Sequence, residues 1–74
     1  MKTDKISITT EYIKLDQLLK FSGMAENGAQ AKEMILEGIV LYNGETCTMR
    51  GKKVRSGDEI IIAFEDEPYK IIVE

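Results

Sequence analysis

The sequence predicts an α+β fold: a two-helix hairpin packed on a small, mostly antiparallel sheet of four to five strands. Three observations predict it. Apolar residues recur at helical spacing between Leu15 and Gly38. β-rich runs stand on either side of that region. Asn43-Gly44 then marks a two-residue hairpin turn between short strands.

Each element has its own signal. Lys5-Ile6-Ser7-Ile8-Thr9-Thr10 alternates apolar and polar residues, so it reads as a strand. Leu15, Leu18, Leu19 and Ser22 fall at i, i+3, i+4 and i+7, one face of a short helix. Asp16 near its start and Lys20 near its end complement the helix dipole. Gly23 stops it, and no clean N-cap precedes it. The second helix opens at Asn27, a good N-cap, with Gln30 three residues on as capping-box partner. Ala31, Met34 and Ile35 form its buried stripe, and Gly38 ends it. The short link around Met24-Ala25-Glu26 forces a compact hairpin.

Beyond Gly38 the period changes. Ile39–Tyr42 is β-rich, and a second short strand is expected near Glu45–Thr48. Arg50–Arg55 reads as a basic connector and Ser56-Gly57-Asp58 as a turn. Glu59–Phe64 reads as a strand, Glu65-Asp66-Glu67-Pro68 as a turn, and Tyr69–Val73 as the last strand. Phe21 and Phe64 are assigned to the core, Tyr42 to cross-strand packing and Cys47 to a small apolar strand position.

Composition bounds the function. Seventy-four residues make one domain, 1–74, with 43% hydrophobic content for a small core and no roomy enclosed active site. With no histidine and a single cysteine, a His-based dyad or triad and a Cys/His zinc site are excluded. No phosphate-binding glycine loop and no paired nucleophile and base are present, so no enzyme, cofactor or metal site is expected. A carrier of the ubiquitin-like kind needs a C-terminal Gly-Gly, whereas this sequence ends Ile72-Val73-Glu74. Lone Cys47, the lack of a roughly 20-residue apolar run and the absence of a signal-peptide pattern predict a cytoplasmic protein with no membrane contact.

Charge is unevenly placed. The formal net charge is −3. Residues 1–57 hold nine Lys/Arg and seven Asp/Glu, whereas residues 58–74 hold one Lys and six Asp/Glu. Arg50, Lys52, Lys53 and Arg55 put four cations in six residues with no acid among them. Salt screens charges beyond about 8 Å, so the local field decides what such a segment attracts. Asp58, Glu59, Glu65, Asp66 and Glu67 lack calcium-loop spacing and read as a solvated sheet edge.

The ordered set Leu15-Asp16-x-Leu18-Leu19, Gly23, Asn27-Gly28-Ala29-Gln30-Ala31-Lys32, Ile35, Gly38, Val40, Asn43-Gly44 and Val54-x-x-Gly57-Asp58-x-Ile60 resembles the S4 RNA-binding domain, or αL motif. The resemblance covers residues 15–62. With one strand added on each side, the chain is similar to small stand-alone bacterial proteins of the YaaA and YbcJ type. The resemblance implies a non-catalytic, monomeric protein that binds structured RNA, ribosomal or tRNA-like, at the ribosomal subunit or during ribosome assembly. The family commonly carries Ser-Arg where this chain has Asn27-Gly28, and a basic or polar residue where Leu36 stands. A protein-interaction module without RNA contact is the alternative reading.

Three groups of residues compose the expected RNA site. The first is the start of the second helix, where Asn27 and Gly28 leave backbone N–H groups open to a phosphate. Gly28 serves either that approach or tight packing of the hairpin. The second is Gln30 and Lys32 on the same helix, Gln30 being equally a helix cap. The third is Arg50, Lys52, Lys53 and Arg55, with Lys20 at the border. The RNA mechanism requires this basic segment to lie beside the start of the second helix, as one cationic ledge. Tyr12, Phe21, Tyr42, Phe64 and Tyr69 are not interleaved with the basic residues, so no base-stacking platform is expected.

Overall fold

A computed structural model describes residues 2–74. The chain runs β1 (Lys2–Ile6), β2 (Ile13–Lys14), α1 (Leu15–Phe21), α2 (Gly28–Leu36), β3 (Val40–Tyr42), β4 (Glu45–Thr46), β5 (Lys53–Val54), β6 (Glu59–Ile62) and β7 (Tyr69–Val73). Five strands form the main sheet in the order β1-β7-β6-β3-β4, and β2 pairs with β5 in a separate two-stranded ladder. The sheet is antiparallel except for β1, which runs parallel to β7. The α+β class and the helix hairpin are as the sequence predicts.

The helices are built from local signals. Asn27 caps α2 by accepting the Gln30 N–H on its side-chain oxygen at 2.9 Å. Gln30 reaches back to the N–H of Glu26, at 2.6 Å, one residue before the N-cap. Gly23 and Gly38 follow the two helices with φ of 84° and 80°, the left-handed conformation that ends a helix without steric cost. Leu15, Leu18 and Leu19 of α1 meet Ala31, Met34 and Ile35 of α2 over Val40, Ile60, Ile62 and Ile71 of the sheet. Burying side chains of this size stabilises by about 1.5–3 kcal/mol each before chain entropy is counted.

Several expectations change. The first strand is Lys2–Ile6 and not 5–10, because its ladder follows β7, in which Val73 pairs with Ile6. Residues 7–12 instead form the loop between β1 and β2. Glu59–Phe64 shortens to Glu59–Ile62, and Phe64 turns outward at 38% exposure. Phe21 is also not core: it is 66% exposed. At 100° per residue it lies about 240° around α1 from Leu15, off the buried stripe. The supposed connector 50–55 contains β5. The acidic residues do not form one sheet edge. Glu59 sits on the central strand, ion-paired with Lys70, while 65–67 occupy the β6–β7 turn.

Asp58 is a structural acceptor. Its carboxylate accepts the Tyr42 hydroxyl at 2.7 Å, the Asn43 side-chain amide at 3.2 Å and the Arg55 N–H at 2.8 Å. Asn43 in turn accepts the Glu59 N–H at 2.8 Å. Asn43 (φ 49°) and Gly44 (φ 91°) form the expected left-handed hairpin turn, which these bonds tie to the Arg55–Asp58 turn. Partial burial works to raise the Asp58 carboxyl, but the bonds from Arg55, Tyr42 and Asn43 outweigh it and hold it below its ordinary value of 3.8. A carboxylate with a depressed folded-state pKa stabilises the fold above its unfolded pKa and loses that stabilisation as acid titrates it. Asp58→Ala is therefore expected to cost about 2 kcal/mol at neutral pH. The deficit narrows as pH falls through and below 3.8. Thermal unfolding of both proteins from pH 7 to pH 2 checks it, a constant gap counting against the ionised acceptor.

Candidate nucleic-acid interface

The start of α1 has no side-chain cap: its N-cap residue is Lys14, whose side chain makes no capping bond. Four N–H groups at a helix start lack intrahelical partners and need acceptors. The basic segment supplies two of them. The Leu15 N–H donates to the Lys52 carbonyl at 2.9 Å, and the Asp16 N–H donates to the Arg50 carbonyl at 3.1 Å. Asp16 takes the Gln17 N–H on its own side chain at 2.7 Å. A turn bond from the Lys52 N–H to the Met49 carbonyl, at 3.1 Å, shapes the segment that carries these acceptors.

The β2–β5 ladder extends this anchorage. Ile13 pairs with Val54, and Lys14 pairs with Lys53. Alternation along a strand sends Val54 into the core and leaves Lys53 exposed, with Arg55 exposed on the same side. Lys14 is exposed opposite Lys53. Like charges directly opposite in an antiparallel pair destabilise it. Neither lysine is ion-paired: among the described residues the only ion pair is Lys70–Glu59, on β7 and β6.

Aromatic rings lie under three of these cations. The Lys53 ammonium sits 4.9 Å from the centre of the Tyr12 ring, and the Arg55 guanidinium 6.0 Å from it. The Lys52 ammonium lies 4.8 Å from the centre of Tyr42. Each ring attracts its cation through its quadrupole, which holds the charge at the surface without neutralising it. The expectation that aromatic and basic residues stay apart fails here, because strand pairing joins residues distant in sequence. Tyr42 is half-buried against the core and bonded to Asp58, which raises its hydroxyl pKa above the ordinary value first through that bond and then through burial.

The remaining candidates sit elsewhere on the helix hairpin. Asn27, Gly28, Gln30 and Lys32 occupy the start of α2, all exposed. A Cβ placed on Gly28 would meet nothing within 4 Å, so tight packing does not explain that glycine. Gln30 fills the capping role that the sequence left open. Lys20 lies near the other end of α1 from the basic segment, against a surface groove. Leu36, at the end of α2, is 57% exposed. The basic segment is expected beside the start of α2, and the hydrogen bonds that anchor it run to the start of α1.

Lys14 is the residue that sequence reading missed. It stands alone between Ile13 and Leu15, and only strand pairing brings it to Lys53. The resulting face carries Lys14, Arg50, Lys52, Lys53 and Arg55. Among the described residues no group of three or more His, Cys, Asp or Glu is arranged to hold a metal ion, and no helix is long and apolar enough to cross a membrane.

Comparison with known proteins gives a consistent result. A family model described as S4 domain matches residues 6–72. A Bacillus subtilis protein named probable ribosome maturation protein RlbA is 42% identical over 57 residues, covering 77% of this chain and 80% of that protein. An Escherichia coli protein named putative RNA-binding protein YbcJ is 38% identical over 52 residues, covering 70% of this chain and 74% of that one. A Listeria innocua protein named RQC P-site tRNA stabilizing factor is also 38% identical over 52 residues, which is 55% of its length.

The opposed lysines give a direct test of the electrostatics. Lys14→Gln is expected to stabilise the fold by roughly 0.2–1 kcal/mol at low salt, with the gain shrinking as salt screens the pair. Urea unfolding at two ionic strengths measures it. A loss of stability at low salt contradicts the like-charge strain.

Proposed function

The chain belongs to the S4 domain family, and from that premise we propose that it is a non-catalytic protein that binds structured RNA through the face carrying Lys14, Arg50, Lys52, Lys53 and Arg55. The observation that carries this reading is the Lys14–Lys53 pair in a cationic face with no ion-paired acid. A fold that sets like charges opposite each other gives up stability, and bound phosphates return it by neutralising them.

Arg and Lys suit this role in different ways. Arg50 and Arg55 present planar donor forks that grip two phosphate oxygens, while the lysines act as mobile point charges. Such contacts fix position on an RNA and read little sequence. Recognition then depends on the shape of a bent or bulged RNA, and a DNA duplex is bound weakly. Acidic residues 65–67, in the β6–β7 turn, repel phosphate and orient the approach.

Asn27, Gly28 and Lys32 are assigned a second, lesser contact on α2. Open space above Gly28 supports a close approach of backbone to phosphate there. Relatives named for ribosome maturation and for stabilising P-site tRNA support a ribosomal or tRNA-like target in the cytoplasm, with a part in ribosome assembly.

Salt titration of the affinity for a structured ribosomal RNA fragment tests the reading. With four or five phosphate contacts, log K against log salt is expected to fall with a slope of about −3 to −4. Replacing Arg50, Lys52, Lys53 and Arg55 by Ala is expected to flatten that slope to about −1 or less. An unchanged affinity and slope removes this face from the mechanism.

A further inference from the structure

We propose that the groove between the β1–β2 loop and α1 seats one unpaired nucleotide of the bound RNA, its base stacked on Phe21 and its phosphate at Lys20. The proposal rests on the RNA reading above and adds a further point of contact to it.

The exposed ring is the starting observation. Phe21 closes α1 at 66% exposure, its ring outside the core. It stands at a groove of about 760 Å³, within the roughly 300–1,000 Å³ usual for small-ligand sites. Ile8 and Ile13, both half-buried against the core, supply an apolar wall. Ser7 and Thr9 add hydroxyls, Thr10 adds a hydroxyl oxygen whose hydrogen is donated to the Tyr12 carbonyl at 2.8 Å, and Gln17 adds an amide. These groups donate to and accept from a base edge or a ribose 2′-hydroxyl.

Charge selects the occupant. Among the described residues Lys20 is the only charged one lining the groove, and no carboxylate does. The lining joins an apolar wall to hydroxyl, amide and ammonium groups, the pairing that a base and its sugar-phosphate present. Position supports it as well. Groove residue Ile13 pairs with Val54, whose neighbours Lys53 and Arg55 belong to the cationic face. An RNA backbone held on that face therefore lies next to the groove. A base turned out of its helix finds a ring to stack on, and a nearby cation meets its phosphate.

The test uses two RNA hairpins of equal length, one fully paired and one with a single bulged 2-aminopurine. Wild-type protein is expected to bind the bulged hairpin roughly 5- to 150-fold more tightly, the usual worth of one stacked base, and to change its fluorescence as the base leaves its neighbours. Phe21→Ala is expected to abolish both the preference and the fluorescence change, while affinity for the paired hairpin, its salt slope and the thermal midpoint stay as in wild type. Phe21→Trp is expected to restore both. A preference that survives Phe21→Ala, or binding to both hairpins without preference, overturns the nucleotide seat and leaves the cationic face standing. Salt-insensitive or absent binding to both hairpins overturns the RNA reading and this proposal together. Self-association in sedimentation that Phe21→Ala abolishes, with no bulge preference, assigns the groove to a second copy and overturns the proposal.

Discussion

Two backbone hydrogen bonds, from the N–H groups of Leu15 and Asp16 to the carbonyls of Lys52 and Arg50, organise the surface of this protein. α1 is short and begins without a side-chain cap. Its start is completed by a segment more than thirty residues later in the chain. The same contact that satisfies the helix fixes the path of the basic segment. Its carbonyls turn toward the helix, and β5 then presents Lys53 beside Lys14. Helix capping and the placement of charge are thus one event, and a change that loosens one disturbs the other.

On the opposite flank of the basic segment, the carboxylate of Asp58 holds Arg55, Tyr42 and Asn43 together. The cationic face is therefore bracketed by two fixed points, α1 on one side and the Asn-Gly hairpin on the other. Stacking of Lys52 and Lys53 on Tyr42 and Tyr12 adds a third restraint without removing charge. A preorganised set of cations loses less conformational entropy on meeting phosphates than freely moving side chains do.

Local chemistry made much of the fold legible in the sequence. Asn27 capping α2, Gly23 and Gly38 ending the helices and Asn43-Gly44 turning the hairpin each depend on a few neighbouring residues. The ordered set of these signals over residues 15–62 also carried the family resemblance, which the match over residues 6–72 bears out. What stayed hidden depends on distant partners. β1 takes its limits and its parallel direction from β7. Lys14 matters only because Lys53 is its cross-strand partner. Asp58 sits in a run of acids and looks solvated until Tyr42 and Asn43 come to meet it. Phe21 differs, since its angle from the Leu15 stripe was already readable, and size alone was a poor guide to burial.

The central claim is that RNA meets this protein at the start of α1. Amide chemical-shift mapping during titration with a structured ribosomal RNA fragment tests it most directly. The account predicts that the largest shifts fall on residues 12–16 and 50–55, with the β6–β7 turn at residues 63–68 unchanged. Shifts centred on that acidic turn, or confined to α2 with the basic segment silent, would contradict it.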